Sequence, residues 1–237
     1  SRFSEANRYG VFPAASVGWL MTDENFISGW SFWLDMLKLR LWYVVLGNDK
    51  IGYYNSYTTF TSNKYTAAYD LNATNTSAVT GFQPQSLGNS DAKWESTKTI
   101  DFGIEGVLFD RTLDFTLDIW NRNTSDMLVQ VPIPQVMGNA TAPYINVGEM
   151  KNTGFDFELG FNNAAIDGQL KYRVAATVSH YKNEIVNLYG DPTVIQNAAN
   201  ERQKLYSRYA VGHSYPEFWG YVVEGIFQTQ AEADAHP

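Results

Sequence analysis

The chain of 237 residues contains no cysteine and no long apolar segment. The lack of cysteine argues against a small secreted module held together by disulfides. The longest uninterrupted apolar run, Leu41 to Leu46, is far shorter than the roughly 20 residues that a transmembrane helix needs. If the protein crosses a membrane, it therefore crosses with strands.

Basic charge and catalytic motifs are also scarce. The chain has 17 Lys and Arg against 25 Asp and Glu, so its net charge of -8 disfavours nucleic acid as a partner of the bulk surface. The three histidines have no partner at the spacing of a metal site, and neither a phosphate-binding glycine loop nor a nucleophile elbow occurs. Acidic residues repeat along whole strands, which favours solvated charges over a general acid/base pair. We expect no enzyme, no metal site and no cofactor.

The chain is rich in alternating apolar and polar residues. Between Ile100 and Trp120 two alternating runs meet at Asp110-Arg111, and successive side chains of a strand point to opposite sides of a sheet. A tight turn centred on Asp110-Arg111 predicts a hairpin with matched faces, although the turn lacks the glycine that two-residue loops favour. The predicted pairs are Leu108 with Leu113, Ile104 with Leu117, Phe102 with Ile119 and Glu105 with Thr116.

A second predicted hairpin repeats this design. The run from Phe155 to Phe161 alternates with acidic residues, and the run from Leu170 to Val178 alternates with basic ones, so acidic side chains are expected to face basic ones across the pair. Two more runs, 13–19 and 37–45, alternate in the same way. The chain is predicted to contain roughly six to eight strands, and Val131-Pro132-Ile133-Pro134 is predicted to leave the sheet because proline cannot donate to a ladder.

Alternation suits both a water-soluble sandwich and an outer-membrane barrel. Loop length favours the barrel, because such barrels have short turns at one rim and long loops at the other. The connections at Asp110-Arg111 and from Asn162 to Gln169 are short, whereas those from Gly47 to Lys93, from Asn121 to Lys151 and after Tyr181 are long. Six aromatic residues near predicted strand ends fit a water–lipid boundary: Trp42, Tyr43, Trp94, Trp120, Tyr172 and Tyr181.

Several stretches of sequence occur together in one known family. In chain order they include N-R-Y-G-V-F-P-A-A-S-V-G-W (7–19), A-K-W-E-S-T-K-T-I-D-F-G-I (92–104), L-F-D-R-T-L-D-F-T-L-D-I-W (108–120), T-S-D-M-L-V-Q-V-P-I-P (124–134) and N-V-G-E-M-K-N-T-G-F-D-F-E-L (146–159). This series resembles the barrel of the SusC/RagA family of TonB-linked outer-membrane transporters of Bacteroidota, and the resemblance covers nearly the whole chain. It implies an all-β fold, an antiparallel transmembrane β-barrel segment in the bacterial outer membrane.

The resemblance also implies a larger assembly. Plugged transporters close with about 22 strands, so residues 1–237 are interpreted as an internal piece of the C-terminal barrel half, without plug domain, signal peptide or TonB box. The implied function is import of glycan or peptide fragments. The implied partners are a SusD-like surface lipoprotein, the TonB complex through the absent N-terminal region, and membrane lipid. From the residues alone, a soluble β-sandwich carbohydrate-binding module remains the alternative.

A tyrosine-rich segment of the first long connection is the candidate substrate or partner surface. Its members are Tyr53, Tyr54, Tyr57, Tyr65 and Tyr69. Aromatic rings stack on sugars and pack on peptide side chains, while the neighbouring Asn and Thr residues supply hydrogen bonds. A loop that packs on itself or on the lipoprotein is the alternative. We expect the apolar strand faces to contact lipid, the charged faces to line the lumen, and the long loops to lie outside the cell.

Overall fold

The computed structural model is dominated by strands. It describes residues 2–27, 29, 32–63, 65, 68–70, 79–131, 133–134, 136, 138–165, 169–188, 195–198, 205–219 and 225–235. Within these residues, no helix has both the length and the apolar character required to cross a membrane.

Strands of very different length follow one another along the chain. In order they are β1 (Ala14–Leu20), β2 (Leu34–Asn48), β3 (Thr59–Thr61), β4 (Ala68–Tyr69), β5 (Val79–Thr80), β6 (Gln83–Ser86), β7 (Glu95–Leu108), β8 (Leu113–Gln130), β9 (Tyr144–Ala165), β10 (Leu170–Asn187), β11 (Ile195–Ala198), β12 (Leu205–Tyr209) and β13 (Glu217–Phe218). A single 3₁₀ turn, Met21–Asp23, follows β1, and the described chain ends in the short helix α1 (Gln230–Ala235).

Six of the described strands form one antiparallel sheet in the order β1-β2-β7-β8-β9-β10. Each strand pairs with its neighbour in the chain, except that β3 to β6 intervene between β2 and β7 and form two separate two-stranded sheets. The observed number of long strands agrees with the lower end of the predicted range. Such an up-and-down order is the topology of a barrel wall.

The predicted register of the first hairpin is confirmed at all four pairs, from Leu108 with Leu113 to Phe102 with Ile119. The turn itself is longer than a two-residue loop and spans 109–112. Phe109, Asp110 and Arg111 all have positive φ, between 53° and 63°, without any glycine among them. Neighbouring groups hold this turn, since the Phe109 N–H donates to a backbone carbonyl at 2.9 Å and the Arg111 N–H donates to the Asp35 carboxylate at 3.0 Å.

The second predicted hairpin is present as the antiparallel pair β9 and β10, but its charge pairing differs from the prediction. Arg173 lies opposite Asn162 and not opposite an acidic residue. Its guanidinium nevertheless reaches Glu158 at 3.0 Å, because a long side chain can contact a diagonal neighbour. The central residues of this turn, Asp167 and Gly168, lie outside the described residues.

The strands run further than predicted at the end with the long loops. The connection predicted from Asn121 to Lys151 is mostly sheet, because β8 continues to Gln130 and β9 begins at Tyr144. Likewise β10 continues past Tyr181 to Asn187. Backbone ladders do not require apolar side chains, so the apolar pattern ends before the strands do. Strand β8 ends directly before Val131, as predicted, whereas Pro132 lies outside the described residues.

The two faces of the sheet differ sharply in polarity, and on β7 they also differ in exposure. On the apolar face, one row across five strands keeps large exposed fractions: Val17 62%, Leu41 47%, Phe102 39%, Ile119 52% and Phe155 37%. On the charged face, by contrast, Thr99 and Asp101 are buried, at 4% and 5%. A soluble protein covers its apolar face with a second layer. In this sheet the apolar side chains are exposed and charged-face residues are buried, the reverse of a soluble protein. This is the arrangement of a wall between lipid and a polar interior.

Candidate functional site

The charged face carries a network of ion pairs that joins non-adjacent strands. Arg40 on β2 contacts Glu105 on β7 at 2.7 Å and also reaches Asp118 on β8 at 2.8 Å. Gly103 lies between Arg40 and Asp118 in the register. A Cβ at Gly103 would lie 2.5 Å from Asp118 Oδ1 and 2.9 Å from Arg40 Nη2, so only glycine lets this ion pair close directly over β7.

A second bridge repeats this arrangement one hairpin further on. Arg173 on β10 contacts Asp114 on β8 at 2.9 Å. The intervening strand β9 carries Gly160, where a Cβ would lie 2.4 Å from Asp114 Oδ2 and 2.6 Å from Arg173 Nη2. Asn162 adds a hydrogen bond from Nδ2 to Asp114 Oδ1 at 2.6 Å. Sequence reasoning missed both bridges, although the signal was present as a glycine on the polar face between strands that carry opposite charges.

The predicted aromatic boundary is wrong for four of its six residues. Trp42, Trp120 and Tyr181 share the parity of the acidic residues and lie on the charged face, in one row with Asp101. Trp94 packs in a loop cluster outside the six strands. Tyr43 and Tyr172 remain on the apolar face, with exposed fractions of 39% and 40%. Proximity to a strand end does not fix the side on which a ring points; only residue parity does.

The tyrosine-rich segment is anchored to the sheet through Asn55. The Asn89 N–H donates to the Asn55 carbonyl at 2.7 Å, and the Tyr144 N–H donates to Asn55 Oδ1 at 3.1 Å. Gly88 packs directly beneath the turn, since a Cβ there would lie 2.4 Å from the carbonyl carbon of Tyr57. The turn 53–57 is therefore held against the start of β9, at the end of the sheet away from the turn at 109–112.

The predicted tyrosines divide into two groups. Tyr53, Tyr54 and Tyr57 share the anchored turn and are 73%, 63% and 65% exposed. Tyr69 lies on β4 opposite Val79, and Tyr65 precedes β4 by three residues, so this pair belongs to a separate hairpin. Both are also well exposed. The structure thus gathers three of the five predicted rings on one rigid support.

A small apolar core supports the anchored turn. Phe3, Ile51 and Ala92 are buried together, and Trp94 packs against them. Above this core, the Arg2 guanidinium lies 5.2 Å from the centroid of the Tyr53 ring and contacts Asp49 at 2.6 Å. The hydrogen bond to Asp49 raises the pKa of Arg2. The N-terminal segment thereby fixes one of the candidate rings.

A second ordered group lies beside the far end of β10. Asn183 accepts a hydrogen bond from the Tyr215 N–H at 2.6 Å, which holds the segment around β13 against the strand. Glu217 accepts hydrogen bonds from Arg208 and from His213, and these bonds lower the pKa of its carboxyl group. This group is outside the six-stranded sheet.

Comparison with known proteins identifies the family. The family described as "TonB dependent receptor-like, beta-barrel" matches residues 2–235. The chain belongs to this family. A TonB-dependent receptor of Formosa agariphila is 31% identical over 96% of the chain, and the TonB-dependent receptor SusC of Bacteroides thetaiotaomicron is 29% identical over 80%. The solved "RagAB peptide transporter" matches 92% of the chain with a TM-score of 0.77 and 27% identity.

The chain spans about a fifth of the length of these relatives, 20% of the Formosa receptor and 22% of the RagAB chain. The family resemblance seen in the sequence is thus confirmed, as are the all-β fold and the location in the bacterial outer membrane. Membership in a TonB-dependent barrel family, together with the uncovered apolar face, decides against a soluble carbohydrate-binding sandwich.

Proposed function

We propose that this chain is a wall segment of an outer-membrane importer of glycan or peptide fragments. The observation that carries the proposal is the inverse polarity of the six-stranded sheet, whose apolar face is exposed while Asp101 on the charged face is buried. Similarity to SusC and to a solved peptide transporter supports the two substrate classes. The wall encloses a polar path and carries out no reaction on the substrate.

The bridged charges hold side chains of the charged face in fixed positions. Arg40 and Arg173 each hold two carboxylates on neighbouring strands, so the charged face presents fixed side chains and not free ones. In the whole importer this face borders the plug domain. Energy reaches the plug through the TonB complex and a region outside residues 1–237.

The turn 53–57 forms the extracellular capture surface in this proposal. Its three rings are exposed, yet its backbone is fixed by Asn89 and Tyr144, so binding costs little loop ordering. Tyr69 on the hairpin β4–β5 and Tyr65 shortly before it form a second exposed aromatic group in the same long connection. A SusD-like surface lipoprotein docks over this end of the barrel and delivers the substrate, in line with a relative solved as the two-component RagAB.

Uptake in cells tests the capture surface. In the full-length receptor, combined Tyr53→Ala, Tyr54→Ala and Tyr57→Ala should lower uptake of a fluorescently labelled oligosaccharide or peptide substrate about ten-fold, because tyrosine is enriched among the residues that dominate binding energy. Tyr43→Ala removes a ring from the apolar face and serves as the matched control. Gly88→Ala should give an intermediate loss, since its Cβ displaces the turn, whereas Gly52→Ala meets no atom within 4 Å.

Two results would contradict the proposal at different levels. Unchanged uptake in the triple variant, with normal amounts of receptor in the outer membrane, would remove the capture role from the tyrosines. Wild-type uptake of both substrate classes in a strain that lacks the receptor would remove the import function itself.

A further inference from the structure

Three aromatic side chains form a row on the charged face, called here the aromatic row: Trp42, Trp120 and Tyr181. The register places them in line, in the order Trp42, Asp101, Trp120, Gly154 and Tyr181. In a transmembrane barrel the face opposite the apolar band lines the interior. The aromatic row therefore faces the interior. Along the strands it is one residue away from the apolar row that contains Leu41, Phe102 and Ile119, and it lies toward the end with the long loops.

The spacing of the row suits a repeating ligand. Its three members come from alternate strands, so their Cα atoms are about 10 Å apart, because adjacent strands are about 4.8 Å apart. Two sugar units of an extended oligosaccharide span a comparable length, and each pyranose presents an apolar C–H face that stacks on an aromatic ring. An extended peptide alternates its side chains at a shorter repeat and does not match this spacing.

The central ring of the row is held in a fixed orientation. Trp120 Nε1 donates to Asp156 Oδ2 at 2.9 Å, and its ring crosses Gly154, where a Cβ would lie 2.6 Å from Cζ2. The Arg122 guanidinium lies over the ring, 5.5 Å from its centroid, and so already makes a cation–π contact with it. Such a ring pays little conformational entropy on binding.

The charged surroundings of the row favour a neutral ligand over an anionic one. Asp101, Asp118 and Asp156 occupy the same row or the next one, so acceptors outnumber the two nearby cations, Arg40 and Arg122. Arg40 is already engaged by Glu105 and Asp118. Asp101 is buried, and Asp118 and Asp156 already accept hydrogen bonds from Arg40 and Trp120, so these carboxylates act on a ligand mainly through their charge. That charge repels an anionic ligand and does not repel a neutral sugar.

We propose that the aromatic row is a stacking subsite for a linear neutral oligosaccharide in the barrel wall, reached after capture at the turn 53–57. This inference rests on the proposed import function and adds a site and a substrate class to it. Tyr181 lies on the edge strand β10, and 66% of its surface is exposed in the six-stranded sheet.

The test measures binding to the purified full-length receptor by isothermal titration calorimetry. The probes are maltohexaose, cellohexaose, laminarihexaose and xylohexaose, with a mixture of hexapeptides and an acidic alginate hexamer for comparison. One neutral hexasaccharide should bind, and Trp120→Ala and Tyr181→Ala should each weaken it about ten-fold. Trp120→Phe and Tyr181→Phe keep a ring and should bind nearly as well as wild type, as should Tyr43→Ala, which alters the residue beside Trp42 on the opposite face.

Several results would overturn the assignment while leaving import intact. Binding of the hexasaccharide with wild-type affinity in both alanine variants would do so, as would a receptor that binds only the peptides or the alginate. Equal losses in Trp120→Phe and Trp120→Ala would make the role of Trp120 one of positioning through Asp156. Alanine variants that destabilise the ligand-free receptor would show that the row packs against another part of it. Failure to bind any probe, joined by failure to import any of them into cells, would contradict the proposed function instead.

Discussion

Arginine substitutions at neighbouring residues of β8 offer the sharpest test of the wall assignment. Leu117 lies on the apolar face between Ile104 and Phe157, in the middle of the apolar rows. Thr116, the adjacent residue, lies on the charged face between Glu105 and Glu158. One substitution can therefore be placed on either side of the same strand at the same height.

The expected magnitudes follow from depth and from charge. Leu117→Arg should destabilise the folded barrel by about 2–4 kcal/mol, the cost of an arginine that faces lipid near the bilayer midplane. Leu113→Arg lies about 13 Å further along the strand, near the rim with the short turns, and should cost about 0–1 kcal/mol. Thr116→Arg places a cation between two glutamates and should be neutral or slightly stabilising.

Stability is measured by urea titration of the full-length receptor refolded into phosphatidylcholine vesicles, with tryptophan fluorescence and gel mobility as independent probes. The amount of each variant in the outer membrane of cells gives a second measurement. Equal costs for Leu117→Arg and Thr116→Arg would refute the assignment of the faces. A larger cost at Leu113 than at Leu117 would move the apolar band along the strand.

Three further predictions concern sidedness, the bridged charges and pH. Single cysteines at Ser62, Thr112 and Asn139 of the full-length receptor, probed on intact cells with an impermeant thiol reagent, should label at Ser62 and Asn139 and not at Thr112; the reverse pattern would invert the topology. Gly103→Ala should displace the Arg40–Asp118 bridge and lower stability by about 0.5–1 kcal/mol, whereas Gly52→Ala should not, and equal melting temperatures would refute the bridge. The contacts of Glu217 with Arg208 and His213 lower its pKa, so they stabilise the folded chain above the ordinary pKa of 4.5. This contribution is lost as the pH falls through the lowered pKa. Protection of the amides at 207–218, corrected for the intrinsic pH dependence of exchange, should accordingly fall only below pH 4.5, and protection that is already lost at neutral pH would contradict this.

Parity explains why so much of the sheet could be predicted. A strand has a period of two, so a single matched pair such as Leu108 with Leu113 fixes all the others in the hairpin. The same rule would have placed Trp42 and Trp120 on the charged face, because each is separated from an acidic or basic residue by an even number of positions. That prediction was wrong because nearness to a strand end was used where parity was needed.

Other features could not be predicted from the sequence pattern. The Arg40–Asp118 and Arg173–Asp114 bridges depend on three strands at once, so no single hairpin shows them. The anchoring of Asn55 depends on contacts with Asn89 and Tyr144, which lie 34 and 89 residues away in the chain. Residues 121–126 of β8 are polar on both faces, and the apolar residues Met127, Leu128 and Val129 that follow do not alternate, so the pattern gives no sign of where pairing stops.

The extended strands determine how the two proposed sites relate to each other. Strand β8 continues from Trp120 to Gln130, about 33 Å along the strand, and Gln130 pairs with Tyr144, to which the turn 53–57 is anchored. The capture surface and the aromatic row are thus separated by a long stretch of rigid sheet. The free-energy changes caused by substitutions at sites this far apart add, unless the sites share a partner. Loss of the tyrosines should therefore leave oligosaccharide affinity at the row unchanged, and loss of Tyr181 should leave capture unchanged, so each proposal can fail without the other.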